Sequence, residues 1–536
     1  MGGTFDAVVV GAGHNGLVTA AYLAKMGSRV VVLESRHKTG GAADTSNPFP
    51  DLPDVKVTTL SYVMSLMPPS LIRDLKLEQF GYKVTAMSGA YAPQPGGGGL
   101  RYGDDFAGMV ESLSKFSRRD AAAWPEWRAW IARSADFLGP MLMETPVNVG
   151  SMALGDLADQ VRFAFRHRRG MSPRQAADIT KLFTMSAADL LDEWFESPEV
   201  KGLLSCEGII GTWAGPEEPG TAYVLMHHSV GDIGDGQLST WGFPEGGMGA
   251  VAQALQRSAE SFGAEIRVNT PVTKILVENG RAVGAVARNG DEFRAPLVVT
   301  TCHPKITFLK HIDRHDLPSA FVRDIENWKT RSGTVKVNLA LSHLPAFRDD
   351  DGSDPTIAGS SIMVAPNVRY LERAFEQARE GQPAVGPFSE TCIPSYHDKT
   401  LAPEGTHVVS MFTQWVPKEY AAERHQDELE AYADRLVDIH DGFIPGFKDV
   451  VIGRQVIGPW QMEHEWGLIG GNIFHGELST DQLFHMRPAP GYADYRTPIK
   501  GLYQASSATH AGGGVTGLPG HHAVRQILKD RRRKKG

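Results

Sequence analysis

Ala7-Val-Val-Val10-Gly11-Ala-Gly13-His14-Asn15-Gly16 is the stretch that decides the fold. Four apolar residues read as a buried strand. Three glycines spaced GxGxxG read as a tight turn, and the small apolar face Leu17, Ala20, Ala21, Ala24 reads as a helix over residues 15–26. Strand, turn and helix in that order match what a dinucleotide pyrophosphate requires. Gly11 permits the turn, Gly13 lets the backbone approach phosphate, and Gly16 lets the helix sit close. The helix N-terminus then offers free N–H groups and a partial positive charge.

Working outward, a second apolar run over residues 29–33 ends at Glu34, where a carboxylate can accept hydrogen bonds from a ribose. Ser35, Arg36, the glycine pair Gly40-Gly41 and Ala42 follow. Here the chain resembles flavoproteins of the glutathione-reductase-like superfamily, in which such a pair passes beside FAD. The resemblance continues through Phe243-Pro-Glu-Gly246-Gly247-Met-Gly249 and reaches Val272, whose equivalent packs its backbone on the adenine. Three further stretches look like the phytoene desaturase group: residues 185–198, residues 470–479, and the C-terminal Ser506-Ser507-Ala508-Thr509-His510-Ala511-Gly512-Gly513-Gly514-Val515-Thr516-Gly517. They match best the phytoene-dehydrogenase-related branch that includes pyridine nucleotide-disulfide oxidoreductase domain-containing protein 2. The family commonly has glycine where this chain has Ser506 and Ala508, and proline where it has Ala511.

The resemblance implies an α/β fold. A discontinuous, glutathione-reductase-like, Rossmann-type FAD-binding domain would span residues 1–104, 231–309 and 455–536. An α+β substrate domain would be inserted at 105–230 and 310–454. It also implies FAD as cofactor, held by Gly11, Gly13, His14, Asn15, Gly16, Glu34, Ser35, Arg36, Gly40, Gly41, Ala42, Val272, Ser506, Gly513, Gly514 and Val515. The expected activity is dehydrogenation of a hydrophobic, isoprenoid-like substrate by hydride transfer to flavin N5.

Composition bounds the alternatives. The chain has 536 residues, 42% hydrophobic and 22% charged, with a formal charge of −8, so no overall basic field invites nucleic acid. No apolar run is long enough to span a bilayer, and the expected location is cytoplasmic. Cys206, Cys302 and Cys392 are far apart and form no dithiol motif. Two basic segments, residues 161–169 and 531–535, are candidates for peripheral contact with an anionic membrane, with a solvated helix face and a frayed tail as the plainer reading.

Asn279-Gly280 and Asn289-Gly290 signal a three-strand meander, and residues 297–301 a buried strand after it. Residues 105–230 read as mostly helical. Val335, Val337, Leu339 and Leu341 alternate with Lys336 and Asn338, as in a half-buried strand, and Gly96–Gly99 reads as a loop. Glycine turns at 247–252 and 512–517 lack the second strand and acid of a further dinucleotide site. Oxygen, a quinone or a partner protein is therefore the expected electron acceptor, rather than NAD(P).

His510 is the candidate general base, with a loop-ordering histidine as the alternative. Neither His227-His228 nor His521-His522 makes a metal site, because adjacent side chains diverge, and no metal is expected. Trp213, Trp241 and Trp460 are candidates for an apolar tunnel. Alternative readings are an amine-oxidase-like flavoenzyme, a redox-neutral flavin isomerase, and a flavin-free binder of the GDP-dissociation-inhibitor type.

Overall fold

Strands apolar on both faces must be covered on both, so they belong inside a parallel sheet. In the computed structural model, which describes residues 2–95, 97–103, 106–167, 172–231, 240–349 and 352–533, Ala7–Val10 takes that place. It pairs in parallel with Val30–Leu33 on one side and Val298–Thr300 on the other. Glu265–Arg267 and Leu502–Gln504 complete a five-stranded parallel sheet at its two edges. Val298–Thr300 thus pairs with both Ala7–Val10 and Leu502–Gln504, which come from opposite ends of the chain. The helix His14–Lys25 packs on this sheet between the helices Met248–Ser261 and Leu518–Arg533.

The Asn-Gly turns behave as their chemistry requires. Asn279 takes φ +52° and Gly280 φ +70°, closing the hairpin Val272–Glu278 to Arg281–Ala287. Glu292–Arg294 adds the third strand, and Gly3–Thr4 joins in parallel as a fourth.

A second, seven-stranded sheet orders Val451–Ile457, Thr334–Leu341, His407–Gln414, Phe388–Cys392, Ser361–Val364, Ala90–Pro93 and Gly99–Tyr102. Two of its strands come from residues 90–102, which the sequence reading grouped with the cofactor domain. They cross over because Ser361 and Ile362 offer parallel partners to Ala90 and Tyr91, and an unpaired strand edge is costly. Val451–Ile457 likewise straddles the expected boundary at 455. The segment between the sheets is helical, including Arg118–Leu142, Leu154–His167 and Thr221–His228.

The strand Thr334–Leu341 departs from its expected alternation, since all eight residues are buried. Its apolar face joins the large core that contains Val335, Val337 and Phe412. On the polar face Lys336 Nζ donates to Ser410 Oγ (2.7 Å) and to Asn338 Oδ1, while Asn338 Nδ2 donates to Gln455 Oε1 (2.9 Å) and Thr59 O (3.2 Å). Hydrogen bonding within the sheet is what lets this polar face leave water. Gly96, Arg168, Arg169, Lys534 and Lys535, which belong to segments singled out in the sequence, lie outside the described residues.

Candidate active site

The GxGxxG turn is held by steric necessity. Gly11 has φ +99°, and a Cβ on Gly16 would stand 2.0 Å from the Gly11 carbonyl oxygen, so the helix can leave the strand so sharply only with glycine there. At Gly13 a Cβ would meet nothing within 4 Å, because that backbone faces open space. Gly13 caps the helix with no side-chain hydrogen bond, leaving the first-turn amides available. His14 Nε2 is buried beside them with no hydrogen-bond partner among the described residues. An open backbone cradle, free helix amides and an unpartnered buried imidazole nitrogen fit an anionic diphosphate.

Glu34 ends the second strand as expected. Its Oε2 accepts from Ala12 N (2.7 Å) and its Oε1 from Arg36 N (2.9 Å) and Ser35 Oγ (3.2 Å), which fixes the carboxylate against the glycine turn. Arg36 turns to Asp44 (2.8 Å) and to the Gly41 carbonyl (3.1 Å) and tethers the second glycine loop. Gly40 N donates to Ala12 O at 2.8 Å, locking that loop under the first.

The C-terminal glycine turn closes over the same place. Asn15 Nδ2 donates to Ser507 Oγ at 3.2 Å across the whole length of the chain. Arg487, fully buried, donates to the carbonyls of Phe474 (2.8 Å), Ser507 (3.0 Å), Gln482 (3.3 Å) and Thr509 (3.4 Å). One guanidinium thereby staples the loop around residue 475 to the C-terminal motif. Burial draws its pKa down to about 10, still a cation at neutral pH.

These loops border one cavity of about 910 Å³. Of the expected cofactor residues, Gly11, Gly13, His14, Asn15, Glu34, Ser35, Arg36, Gly41, Ala42, Val272, Gly514 and Val515 line it. Gly16, Gly40, Ser506 and Gly513 stand behind the wall. Gly16 and Gly40 shape the turns, and the Ser506 hydroxyl accepts from Ala508 N (3.1 Å) and Gln504 Nε2 (3.0 Å). A Cβ on Gly513 would strike Phe474 at 2.4 Å.

His510 is not on the wall either. Its Nε2 faces Met141 O at 3.0 Å, its own carbonyl accepts from Tyr495 Oη (2.7 Å), and burial lowers its pKa to about 4. That is the geometry of a histidine ordering its loop. Among the three tryptophans, Trp241 reaches the cavity, whereas Trp213 packs against Phe375 and Trp460 stacks on His464.

Beyond the cradle the same cavity continues into a chamber, of whose wall the sequence analysis named Trp241 as a tunnel candidate. Its apolar wall includes Trp127, Ile131, Leu203, Leu204, Ile210 and Phe412. Its polar patch is Tyr62, Glu207, Lys336, Ser361 and Glu390. Tyr62 Oη donates to Glu390 Oε2 at 2.5 Å, and Ser361 Oγ donates to Oε1 at 3.1 Å. The Glu207 carboxyl has no hydrogen-bond partner among the described residues. Desolvation and the nearby Glu390 raise its pKa to about 8. Desolvation lowers the Lys336 ammonium to about 7. Titratable pairs pushed toward neutrality in a cavity are a mark of function. Lys336 carried a signal in the sequence, being the one charged residue of its strand; Glu207 and Glu390 carried none.

His475, from the loop stapled by Arg487, also lines the cavity. Its φ of +58° is maintained because its carbonyl accepts from Trp328 Nε1 (2.8 Å) and His303 Nε2 (3.1 Å). Its Nδ1 is buried with no hydrogen-bond partner among the described residues, and burial lowers its pKa to about 3, so the ring is neutral. The three cysteines are free thiols; Cys302 lies on the wall with its pKa raised to about 12 by burial, the wrong direction for a reactive thiolate.

Comparison with known proteins agrees with this geometry. Residues 9–73 match the NAD(P)-binding Rossmann-like domain, and residues 211–520 match the flavin containing amine oxidoreductase family. Pyridine nucleotide-disulfide oxidoreductase domain-containing protein 2 of Rattus norvegicus is 37% identical, over 98% of this chain and 94% of its own. One of the limonene dehydrogenase subunits of Castellaniella defragrans is 26% identical, over 98% and 94%. Among solved structures, cyclohexylamine oxidase of Brevibacterium oxydans shares the fold, with a TM-score of 0.57 at 16% identity over 98% of this chain and 99% of that one. The chain belongs to the flavin containing amine oxidoreductase family, with the phytoene-desaturase-related proteins among its relatives, and is a flavoprotein whose cofactor is FAD.

Proposed function

We propose that the protein dehydrogenates a hydrophobic, isoprenoid-like substrate in the chamber beyond the cradle. The observation that supports this reading most is the continuity of the cavity, which leads from the glycine turns directly to a wall of Trp127, Ile131, Leu203, Leu204, Ile210 and Phe412. The limonene dehydrogenase relative, similar over nearly the full length, carries a terpene in its name.

In this reading the residues of the cradle hold FAD, with the pyrophosphate at the turn Gly11–Gly13 and the helix start at His14. FAD when bound supplies a hydride acceptor at N5, and oxygen, a quinone or a partner protein reoxidises it. Making a double bond also releases a proton from the neighbouring carbon, and that task falls to the protein. Lys336 is suited to it, since burial lowers its pKa to about 7 and Ser410 and Asn338 hold the nitrogen in place. Tyr62 and Ser361 keep Glu390 hydrogen-bonded so that it does not compete. His475 adds a neutral imidazole to the wall that it shares with His14.

One observation favours a second reading. A half-buried carboxyl with no hydrogen-bond partner among the described residues, Glu207, is poorly suited to a pure hydrocarbon and well suited to an amine. Anaerobic mixing of the holoprotein with terpenoid hydrocarbons, and separately with primary amines, tests both. Bleaching of the visible flavin band by the hydrocarbons is expected. Bleaching by amines alone would replace the first reading with the second. Conversion without a change of mass by pre-reduced enzyme would indicate redox-neutral isomerisation instead.

A further inference from the structure

The helix Leu154–His167 is amphipathic the wrong way round. None of its side chains is buried, and Leu154, Ala158, Val161 and Phe165, spaced to form one stripe, point outward. Leu154 is 86% exposed, Val161 68% and Phe165 62%. Six of the twelve exposed large apolar side chains among the described residues fall between 143 and 165, with Met143, Val149 and Met152 making up the six. The helix is nonetheless tied to the body: Gln160 Nε2 donates to Asn148 O (2.7 Å) and Ser151 O (3.1 Å), and Glu144 pairs with Arg166 at 2.6 Å. An anchored helix that presents its apolar stripe to solvent marks an interaction surface.

Two basic segments remote in the sequence converge here. Lys529 of the C-terminal helix pairs with Asp159, and Arg496 bridges Asp530 (2.5 Å) and Asp156 (3.9 Å), so the last turn with exposed Arg531 and Arg532 lies against the same helix, on the side of Asp156 and Asp159. The charges are sorted by depth. Arg162 and Arg166 are 72% and 59% exposed, whereas their neighbours Asp156, Asp159 and Glu144 are only 17–26% exposed. Outward, the surface is apolar with cations around it.

We infer that the helix Leu154–His167, together with Arg531 and Arg532, docks the protein on an anionic lipid bilayer. Apolar side chains entering the headgroup region beside outward arginines are the features of an interfacial helix. A second copy of the chain is a poorer occupant, because a twofold contact would bring like-charged arginines face to face. The inference does not depend on the reaction in the chamber, since binding rather than turnover is what its test reads.

Sedimentation of the holoprotein with vesicles of equimolar phosphatidylcholine and phosphatidylglycerol, against phosphatidylcholine alone, is the test. Binding to the anionic vesicles that weakens with added salt is expected. The exposed double variant Leu154→Asp/Val161→Asp should abolish it while flavin content stays that of the parent. The triple variant Arg162→Gln/Arg531→Gln/Arg532→Gln should lower partitioning roughly a hundredfold, at about 1 kcal/mol per cation. Equal binding of the parent and double variant, no binding by the parent, or concentration-dependent dimerisation lost in the double variant would each overturn the inference.

Discussion

The cofactor cradle and the inner chamber share one cavity but are built in opposite ways. The cradle is made of backbone. Its recognition groups are amides and carbonyls set by glycines at fixed spacing, and buried side chains such as Asn15 and Arg487 serve to hold loops together. The chamber is made of side chains from separate elements, among them Tyr62, Glu207, Lys336 and Glu390, whose protonation is set by burial. Backbone recognition suits a ligand that never changes. Side-chain recognition lets the same frame admit different substrates.

The largest effect should come from the chamber. Lys336→Met is expected to slow flavin reduction by substrate about 10²–10⁴-fold while leaving the flavin bound, and to remove a limb near pH 7 from the rate profile. Rapid-mixing spectroscopy checks it. An unchanged rate would deprive the chamber of its proton acceptor.

Next, Arg487→Met should destabilise the holoprotein by about 3 kcal/mol, because it strands several buried carbonyls at once. Denaturant unfolding reads this directly. The cradle itself separates into two outcomes. Gly16→Ala drives a methyl into the Gly11 carbonyl and should cost about 1–3 kcal/mol with loss of flavin. Gly13→Ala meets only open space, so the apoprotein should unfold as the parent does while FAD affinity falls. Equal effects of the two substitutions would mean that Gly13 serves the fold rather than the ligand.

The smallest effect is a pH dependence of stability. Glu207 is raised on folding, so the native state binds the extra proton between about pH 4 and 8, and its contribution declines as pH rises through that window. Lys336 is lowered, so the unfolded chain binds the extra proton above pH 7, and stability rises with pH there. Glu207→Gln should flatten the first trend and Lys336→Met the second in unfolding curves measured across pH.

Much of the cradle was legible in the residues. Gly11, Gly13 and Glu34, which follow from a local run of sequence, reach the cavity wall, as do Gly41 and Val272, which the family resemblance implied. Legibility stopped where a loop's interior and its surface look alike in sequence. Ser506 lies in the expected motif yet bonds within its own loop, Gly513 packs against Phe474, and His510 turns its Nε2 to Met141. That the strands at 90–102 pair with Ser361–Val364 was not legible, because short strands carry no record of their partner.

What the sequence by itself determined is the nucleotide-binding half: strand, glycine turn and helix are interactions over a few residues, and their spacing alone specifies them. Only the tertiary structure decided the rest. It buried Lys336 and brought Glu207 within electrostatic reach of Glu390, from 183 residues away. It also laid the basic end of the C-terminal helix against the helix Leu154–His167. Long-range pairing and desolvation depend on which surfaces close over one another, and no local pattern in the chain encodes that.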